Sequence, residues 1–421
     1  MPARPLISVD ARRRPLVAIA VSVIAAHQAA LLAGCEEAGT APSTAATRAA
    51  DLPVAATAAS WPLFRGDPML TGVAPGSIVD SPVLLWTYET GGHAIASSPV
   101  VADGRVFFGA DDGFVHAVDF ETGASLWTFE SEDIIEAPPL IHDGRVYIGS
   151  SDMRFYALDA ESGSVAWTLE TDERVLGGAN CVTAPDGSGT WILVGSYDNK
   201  LYCVDAVTGV IQWTYETDNY VNGTPAIVGD AVVFGGCDSA LHVVDIATGE
   251  PRKKVQLCPD CHIAGSVAVR GDTVYFGHYG NAFVAVDMNQ AEVIWTYESG
   301  RFPFFSAPAI GTDRIVFGGR DKALHCANLD DGAPLWTFKT RRKVDGSPII
   351  CGDKVVFGSG DGQLYIVSLA DGRELWSYDV GRSIFSSPAV AGGVILVGAH
   401  DGRLYAFGPE SARPASMQDS S

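Results

Sequence analysis

The chain has 421 residues, with 50 Asp and Glu against 28 Lys and Arg and a formal net charge of −22. So acidic a protein is a poor partner for nucleic acid or anionic lipid, because phosphate binding depends on clustered Lys and Arg. Beyond residue 60 there is no long helical period, and frequent glycines punctuate short aromatic-rich runs, which excludes a helical bundle and favours short strands in tight turns.

Residues 1–34 read as an export signal. Arg12-Arg13-Arg14 precede an apolar run from Leu16 to Ala33, interrupted near its end by His27 and Gln28. A run of this length can also span a bilayer, so an uncleaved membrane anchor is the competing reading. The run stops at Leu32-Ala33-Gly34-Cys35, which resembles a bacterial lipobox. In proteins of that kind the Cys35 thiol is acylated and Cys35 becomes the N-terminus, and several acyl chains on one residue anchor stably. With Glu36 rather than Asp after the cysteine, the sorting rule of such lipoproteins implies the periplasmic side of the outer membrane. The arginine pair matches a twin-arginine signal only loosely. Residues 35–60, rich in Ala, Thr and Pro, read as a disordered tether.

From residue 61 to 408 one pattern recurs. Around Ser98 to Trp127, Val100-Val101 is a short apolar strand and Asp103-Gly104 a two-residue turn, since Asp-Gly tolerates the positive φ of a type I′ turn. Arg105 to Gly109 and Phe114 to Val118 are two further strands, and Glu121-Thr122-Gly123 turns into a fourth through Trp127. Four short antiparallel strands make one propeller blade. Trp127, Trp167, Trp213, Trp295, Trp336 and Trp376 repeat the pattern at a near-constant step, with Lys253 in the skipped place. Inner-strand starts at Ser97, Ala137, Gly178, Gly223, Gly265, Ser306, Gly346 and Ser386 predict eight blades. The last repeat lacks an outer strand, whereas Leu84 to Glu89, containing Trp86, is an outer strand with no blade before it. The expected fold is therefore all-β: an eight-bladed β-propeller of four-stranded antiparallel blades, closed by that N-terminal strand, with each Trp buried at a blade interface. Residues 409–421 read as a disordered tail.

In such a blade the turns after the first and third strands are regular and lie on one face. The turns after the second strand, and the elbows between blades, lie on the other and vary, which is where binding is expected. Two clusters fall there. The first is Cys258-Pro259-Asp260-Cys261-His262 in the elbow after the fourth blade, with Cys237 and His278 in neighbouring turns. Three readings stand open: a Cys258–Cys261 disulfide, a Zn or Cu site, or covalent haem c with His262 as axial ligand and His278 as a second. The second cluster is basic and aromatic: Arg301, Arg320, Arg341, Arg342, Lys343 and Arg382 beside Phe302, Phe304, Phe305 and Phe385, a candidate site for an anionic ligand or an acidic partner segment. Glu136, Asn222 and Asp345 occupy equivalent elbow positions facing the channel, where they could hold a small ligand or water. His116, His242 and His325 fall where other repeats have Tyr156, Tyr202, Tyr365 and Tyr405, and are read as packing residues. Cys181, Cys203, Cys326 and Cys351 are read likewise, and the odd number left without Cys35 implies at least one free thiol.

The element Ala117-x-Asp119-x-x-Thr122-Gly123-x-x-x-Trp127 resembles the tryptophan-docking repeat of quinoprotein dehydrogenases and their non-catalytic relatives, the PQQ-like propeller proteins. Trp61-Pro62-Leu63-Phe64-Arg65-Gly66-Asp67 is similar to the lead-in that many of them carry. The resemblance implies the propeller fold. The dehydrogenases cover their quinone with a disulfide between adjacent cysteines; this chain has no Cys-Cys pair, and their Ca²⁺ ligands and catalytic Asp find no matching motif, so bound PQQ is not expected. Asp119, Asp159, Asp205, Asp245 and Asp287 are read as turn formers. A lipobox joined to an eight-bladed propeller also resembles BamB-type scaffold lipoproteins of outer-membrane β-barrel assembly. The leading expectation is a non-catalytic, monomeric, lipid-anchored scaffold for envelope proteins without a cofactor. The alternatives are a metal- or haem c-binding redox protein and a PQQ-dependent dehydrogenase.

Overall fold

A computed structural model describes residues 60–414. Cys35, the signal segment 1–34, the tether up to residue 59 and residues 415–421 lie outside the described residues. Eight sheets form a closed ring. Blade 1 comprises Val100–Ala102, Arg105–Gly109, Phe114–Asp119 and Ser125–Glu130, paired antiparallel in that order. Blades 2 to 7 repeat this order over residues 140–170, 180–216, 226–256, 268–298, 309–339 and 349–379. Blade 8 takes three strands from residues 389–408 and its outer strand from Val83–Glu89, with Trp86 opposite Ala406. The expected closure is thus observed. Inner strands begin two or three residues after the expected starts, because the Ser-Ser-Pro-like stretch before each still belongs to the elbow.

Two kinds of side-chain socket recur between neighbouring blades. In the first, the strand-end glycines leave room for one buried elbow residue: a Cβ on Gly109 would lie 2.2 Å from Ile135, and one on Gly398 would lie 2.3 Å from Ile95, across the point of closure. In the second, the outer-strand Trp lies over the Gly of the next blade's turn. A Cβ on Gly123 would fall 2.5 Å from Trp86, and one on Gly209 would fall 2.7 Å from Trp167. The indole N–H then donates to a carbonyl of that turn, as from Trp86 to Phe120 at 3.0 Å and from Trp127 to Ala160 at 3.1 Å. Trp167, Trp213, Trp295 and Trp336 do the same. Trp376 faces the point of closure, where there is no such turn, and packs edge-on to Phe407 at 5.4 Å.

The repeat Asp residues shape the turns, as expected. Asp119 Oδ1 accepts from Thr122 N–H at 2.8 Å and from the Thr122 hydroxyl at 2.6 Å. The Tyr/His position is also structural. Tyr156 and Tyr202 each donate to an Asp four residues earlier at 2.6 Å, and His242 Nε2 meets Asp238 at 3.1 Å in the same way. Where the residue is His, a Tyr on the preceding blade meets its Nδ1: Tyr88 for His116, Tyr215 for His242 and Tyr297 for His325.

The lead-in from Trp61 runs around the inside of the ring. It pairs with Val101, then its carbonyls accept from Ile141, Ile227, Val269, Ile310 and Ile350 in blades 2, 4, 5, 6 and 7. Val73–Ala74 finally adds a parallel fifth strand to blade 7, beyond the four expected. Glu410–Ala412, in the expected tail, forms one 3-10 turn.

Candidate functional site around the axial mouth

The variable face carries a column of eight equivalent residues, two after each strand-end glycine. Five of these are Asp111, Tyr197, Cys237, Tyr279 and Arg320, and a sixth is His400. Each backbone N–H is clasped by an elbow carbonyl, Tyr197 by Arg174 at 3.0 Å and Tyr279 by His262 at 3.0 Å. The side chains are thereby aimed around the mouth of the channel from a rigid frame.

They form an arc of alternating rings and cations. The Arg174 guanidinium lies 4.9 Å from the Tyr197 ring, which stacks on Tyr220 at 4.7 Å. Further round, Tyr279 packs on Phe305 at 4.5 Å, and the Arg320 guanidinium lies over the Phe305 ring, 3.9 Å from its centroid. Arg320 makes a two-pronged contact with Asp345, Nε to Oδ1 and Nη2 to Oδ2, both at 3.0 Å. Lys343 Nζ also meets Asp345, at 2.5 Å, and sits 4.5 Å from the Phe385 ring, against which His400 packs edge-on at 4.8 Å. Two cations thus share one carboxylate. Tyr220, Tyr279 and Phe302 are 45 %, 46 % and 51 % exposed, a large apolar investment for a solvent-facing rim.

Of the expected basic and aromatic cluster, Arg301, Arg341, Arg342 and Arg382 are exposed and make no ion pair within the described residues, whereas Arg320 and Lys343 are neutralised in part by Asp345. Phe304 is a correction: it is fully buried, because it fills the elbow socket over Gly277 that Ile or Val fills elsewhere. Asn222 and Asp345 line the axial cavity, as expected for channel-facing residues. Glu136 is half-buried, and burial, then repulsion from Asp111, raises its pKa. Burial likewise raises Asp111 and lowers His400, and each has one buried polar atom without a hydrogen-bond partner.

In the cysteine cluster, Cys258 and Cys261 form a disulfide. Its two sulfurs are those that thioether-linked haem would need. His262 Nδ1 faces the Cys237 carbonyl and, at 3.2 Å, Ser239 Oγ. His278 is buried, its Nδ1 accepts from Gly280 N–H at 3.0 Å, and burial lowers its pKa. A Cβ on Gly280 would meet Cys261 Sγ at 2.6 Å and the His278 ring at 2.8 Å, so these two side chains do converge. No three His, Cys, Asp or Glu side chains gather closely enough to hold a metal ion among the described residues. Among the described residues five cysteines are free, Cys237 half-buried and the four packing cysteines buried.

Tyr197, Tyr220, Tyr279, Arg174 and His400 were not singled out from the sequence. Aligning the eight repeats on their strand-end glycines would have found the column, because all its members share one register.

The profile of the family described as outer membrane protein assembly factor BamB matches residues 80–185, 182–252 and 254–417. No curated protein sequence matches the chain. Among solved structures, BamB from Moraxella catarrhalis is similar at 20 % identity and a TM-score of 0.65, covering 78 % of this chain and 98 % of that one. The quinohemoprotein alcohol dehydrogenase from Comamonas testosteroni is similar at 14 % identity and a TM-score of 0.72, covering 83 % and 80 %. The computationally designed Ika8 protein is similar at 17 % and 0.66, covering 77 % and 99 %. At these identities the structures show a shared fold.

Proposed function

Since the chain belongs to the family of outer membrane protein assembly factor BamB, a branch of the PQQ-like propellers, we propose that it is a non-catalytic scaffold of the bacterial cell envelope. It is held to the membrane through acylated Cys35, on the periplasmic side of the outer membrane, and presents its variable face to a protein partner. The observation that carries this reading is the arc of exposed Tyr220, Tyr279 and Phe302 beside four exposed arginines that make no ion pair among the described residues, on an otherwise acidic molecule. Rigid aromatic anchors with flanking arginines are the residues that dominate protein interfaces, since they bury much area at little entropy cost. Acidic segments of the partner would meet Arg301, Arg341, Arg342 and Arg382.

A photo-crosslinking residue at Tyr279 or Phe302 is expected to capture one discrete envelope protein in living cells. The same residue at Val210, an exposed turn on the opposite face, is expected to capture none. Equal capture from both positions, or from neither, overturns the reading. A Soret band, or stoichiometric zinc or copper, in protein from a host that matures cytochromes would replace it with the redox alternative, which requires Cys258 and Cys261 to be reduced. Dye reduction after reconstitution with PQQ would replace it with the dehydrogenase.

A further inference from the structure

On the propeller axis, below the mouth, lies a cavity of about 190 Å³. Eight equivalent backbone positions ring it, one per blade. Five carry a hydroxyl: Ser98, Thr224, Ser266, Ser347 and Ser387. Each hydroxyl oxygen accepts a backbone N–H from the preceding blade. Gly178 donates to Thr224 at 3.1 Å, Thr224 to Ser266 at 2.9 Å, and Ala307, Ser347 and Ser387 donate to Ser347, Ser387 and Ser98 at 3.0 Å each. No protein group among the described residues accepts a proton from any of the five. With lone pairs engaged outward, the O–H hydrogens are free to turn to the axis.

The surroundings are cationic for so acidic a chain. Phe64 of the lead-in forms part of the cavity wall. The next residue, Arg65, is only 1 % exposed, and its Nη2 donates at 2.7 Å to the carbonyl of Pro308, which adjoins the cavity-lining Ala307. Its Nε and Nη1 have no partner, and Asp67 is held by Thr71 instead. At the rim, Asp345 is bound by both Arg320 and Lys343.

We propose that this axial cavity binds a small oxyanion, of phosphate or carboxylate type, within the crown of five hydroxyls. Of the acceptors that also line the cavity, the Asp345 carboxylate is already engaged by Arg320 and Lys343, so the five hydroxyls are the main unengaged donors, and a ring of O–H groups matches an acceptor-only oxyanion. The buried Arg65 guanidinium, next in the chain to the cavity-wall residue Phe64, and the two cations on Asp345 favour the anion further, because charges act strongly where water is excluded. The inference concerns the interior of the ring and does not depend on the partner surface.

The test has two arms. Inorganic phosphate and, separately, acetate are titrated into the full chain by calorimetry, and crystals are soaked in selenate for anomalous scattering. The expected results are one site per chain for at least one of the two anions, at least about tenfold weaker in Thr224→Val or Ser347→Ala, the loss of one hydrogen bond to a charged ligand. The selenium peak is expected on the axis, within hydrogen-bonding distance of three or more of the five hydroxyls. If a variant does not fold, the peak in the unaltered protein decides. Absence of an axial peak overturns the proposal, as does phosphate or acetate binding that both folded variants retain at full strength. The preference between the two anions identifies the source as a phosphate or a carboxylate compound.

Discussion

The seam between blades 3 and 4 and the seam between blades 4 and 5 are built on the same backbone with opposite contents. At the first, Trp213 lies over Gly249, where a Cβ would come within 2.7 Å, and its indole donates to Ile246 at 2.8 Å. Tyr215, His242 and Asp238 then form a hydrogen-bonded line across the seam, with Lys254 also on Asp238 at 3.1 Å. At the second seam every member is replaced: Lys253 stands for Trp, Ala291 for Gly, Val255 for Tyr, Val284 for His and Gly280 for Asp. Lys253, Val228 and Met288 border a cavity of about 350 Å³ there. The lesson is that Trp and the Gly beneath it are one unit. Only where the indole is gone does a side chain appear in the turn, and Ala291 keeps the left-handed φ of 59° that the glycines have. The same seam carries the Cys258–Cys261 disulfide in its elbow, a covalent feature that no other elbow has among the described residues.

The comparison predicts unequal responses to matched substitutions. Trp213→Ala should cost about 3–5 kcal/mol in denaturant unfolding, because it empties a packed socket, while Lys253→Ala should stay within about 0.5 kcal/mol. Equal costs would dissolve the distinction between the seams. Gly249→Ala should cost about 2–3 kcal/mol through collision with Trp213 and the positive φ, whereas Ala291→Gly should be neutral or stabilising by up to about 1 kcal/mol.

Acid should act on the first seam and spare the second. Burial pushes Asp238 upward, but the His242 hydrogen bond and Lys254 overcome it and hold the carboxyl at about 2. A group depressed in the folded state stabilises above its unfolded pKa and loses that contribution as pH falls through the folded one. Asp238→Asn should therefore cost about 2 kcal/mol at neutral pH and progressively less between about pH 4 and pH 2. Amide exchange should show the seam of blades 3 and 4 loosening over that range while Val255 and Val284 keep their protection. The smallest effect sharpens the contrast most. Lys253→Trp alone should gain nothing, because Ala291 obstructs the indole, but together with Ala291→Gly it should show a favourable coupling of about 1 kcal/mol in a double-mutant cycle.

Much of the ring was legible because its signals are local and repeated. Asp-Gly turns, alternating apolar strands and Trp after Thr-Gly set the blade, and the stray strand around Trp86 announced how the ring closes. Phe304 departs from the expectation because repeat register, and not nearness in sequence to Arg301 and Phe302, sets its place, with Ile135 and Val175 in the core. The aromatic arc was missed for the opposite reason. Tyr197, Tyr279 and His400 are chemically unlike one another along the chain, and only their common register brings them to one rim. The circuit of the lead-in left no signal, because it is fastened mainly by backbone carbonyls, which every residue possesses.

What the sequence alone determined is the blade and its number, since strand periodicity, turn chemistry and the Trp–Gly pairing are satisfied within about forty residues at a time. What only the tertiary structure decided is the interior of the ring: which hydroxyls meet on the axis, that Arg65 is buried with its guanidinium facing the Phe64 ring, and that the sulfurs of Cys258 and Cys261 are bonded. Those depend on where eight separate repeats converge, a distance that no spacing along one chain encodes.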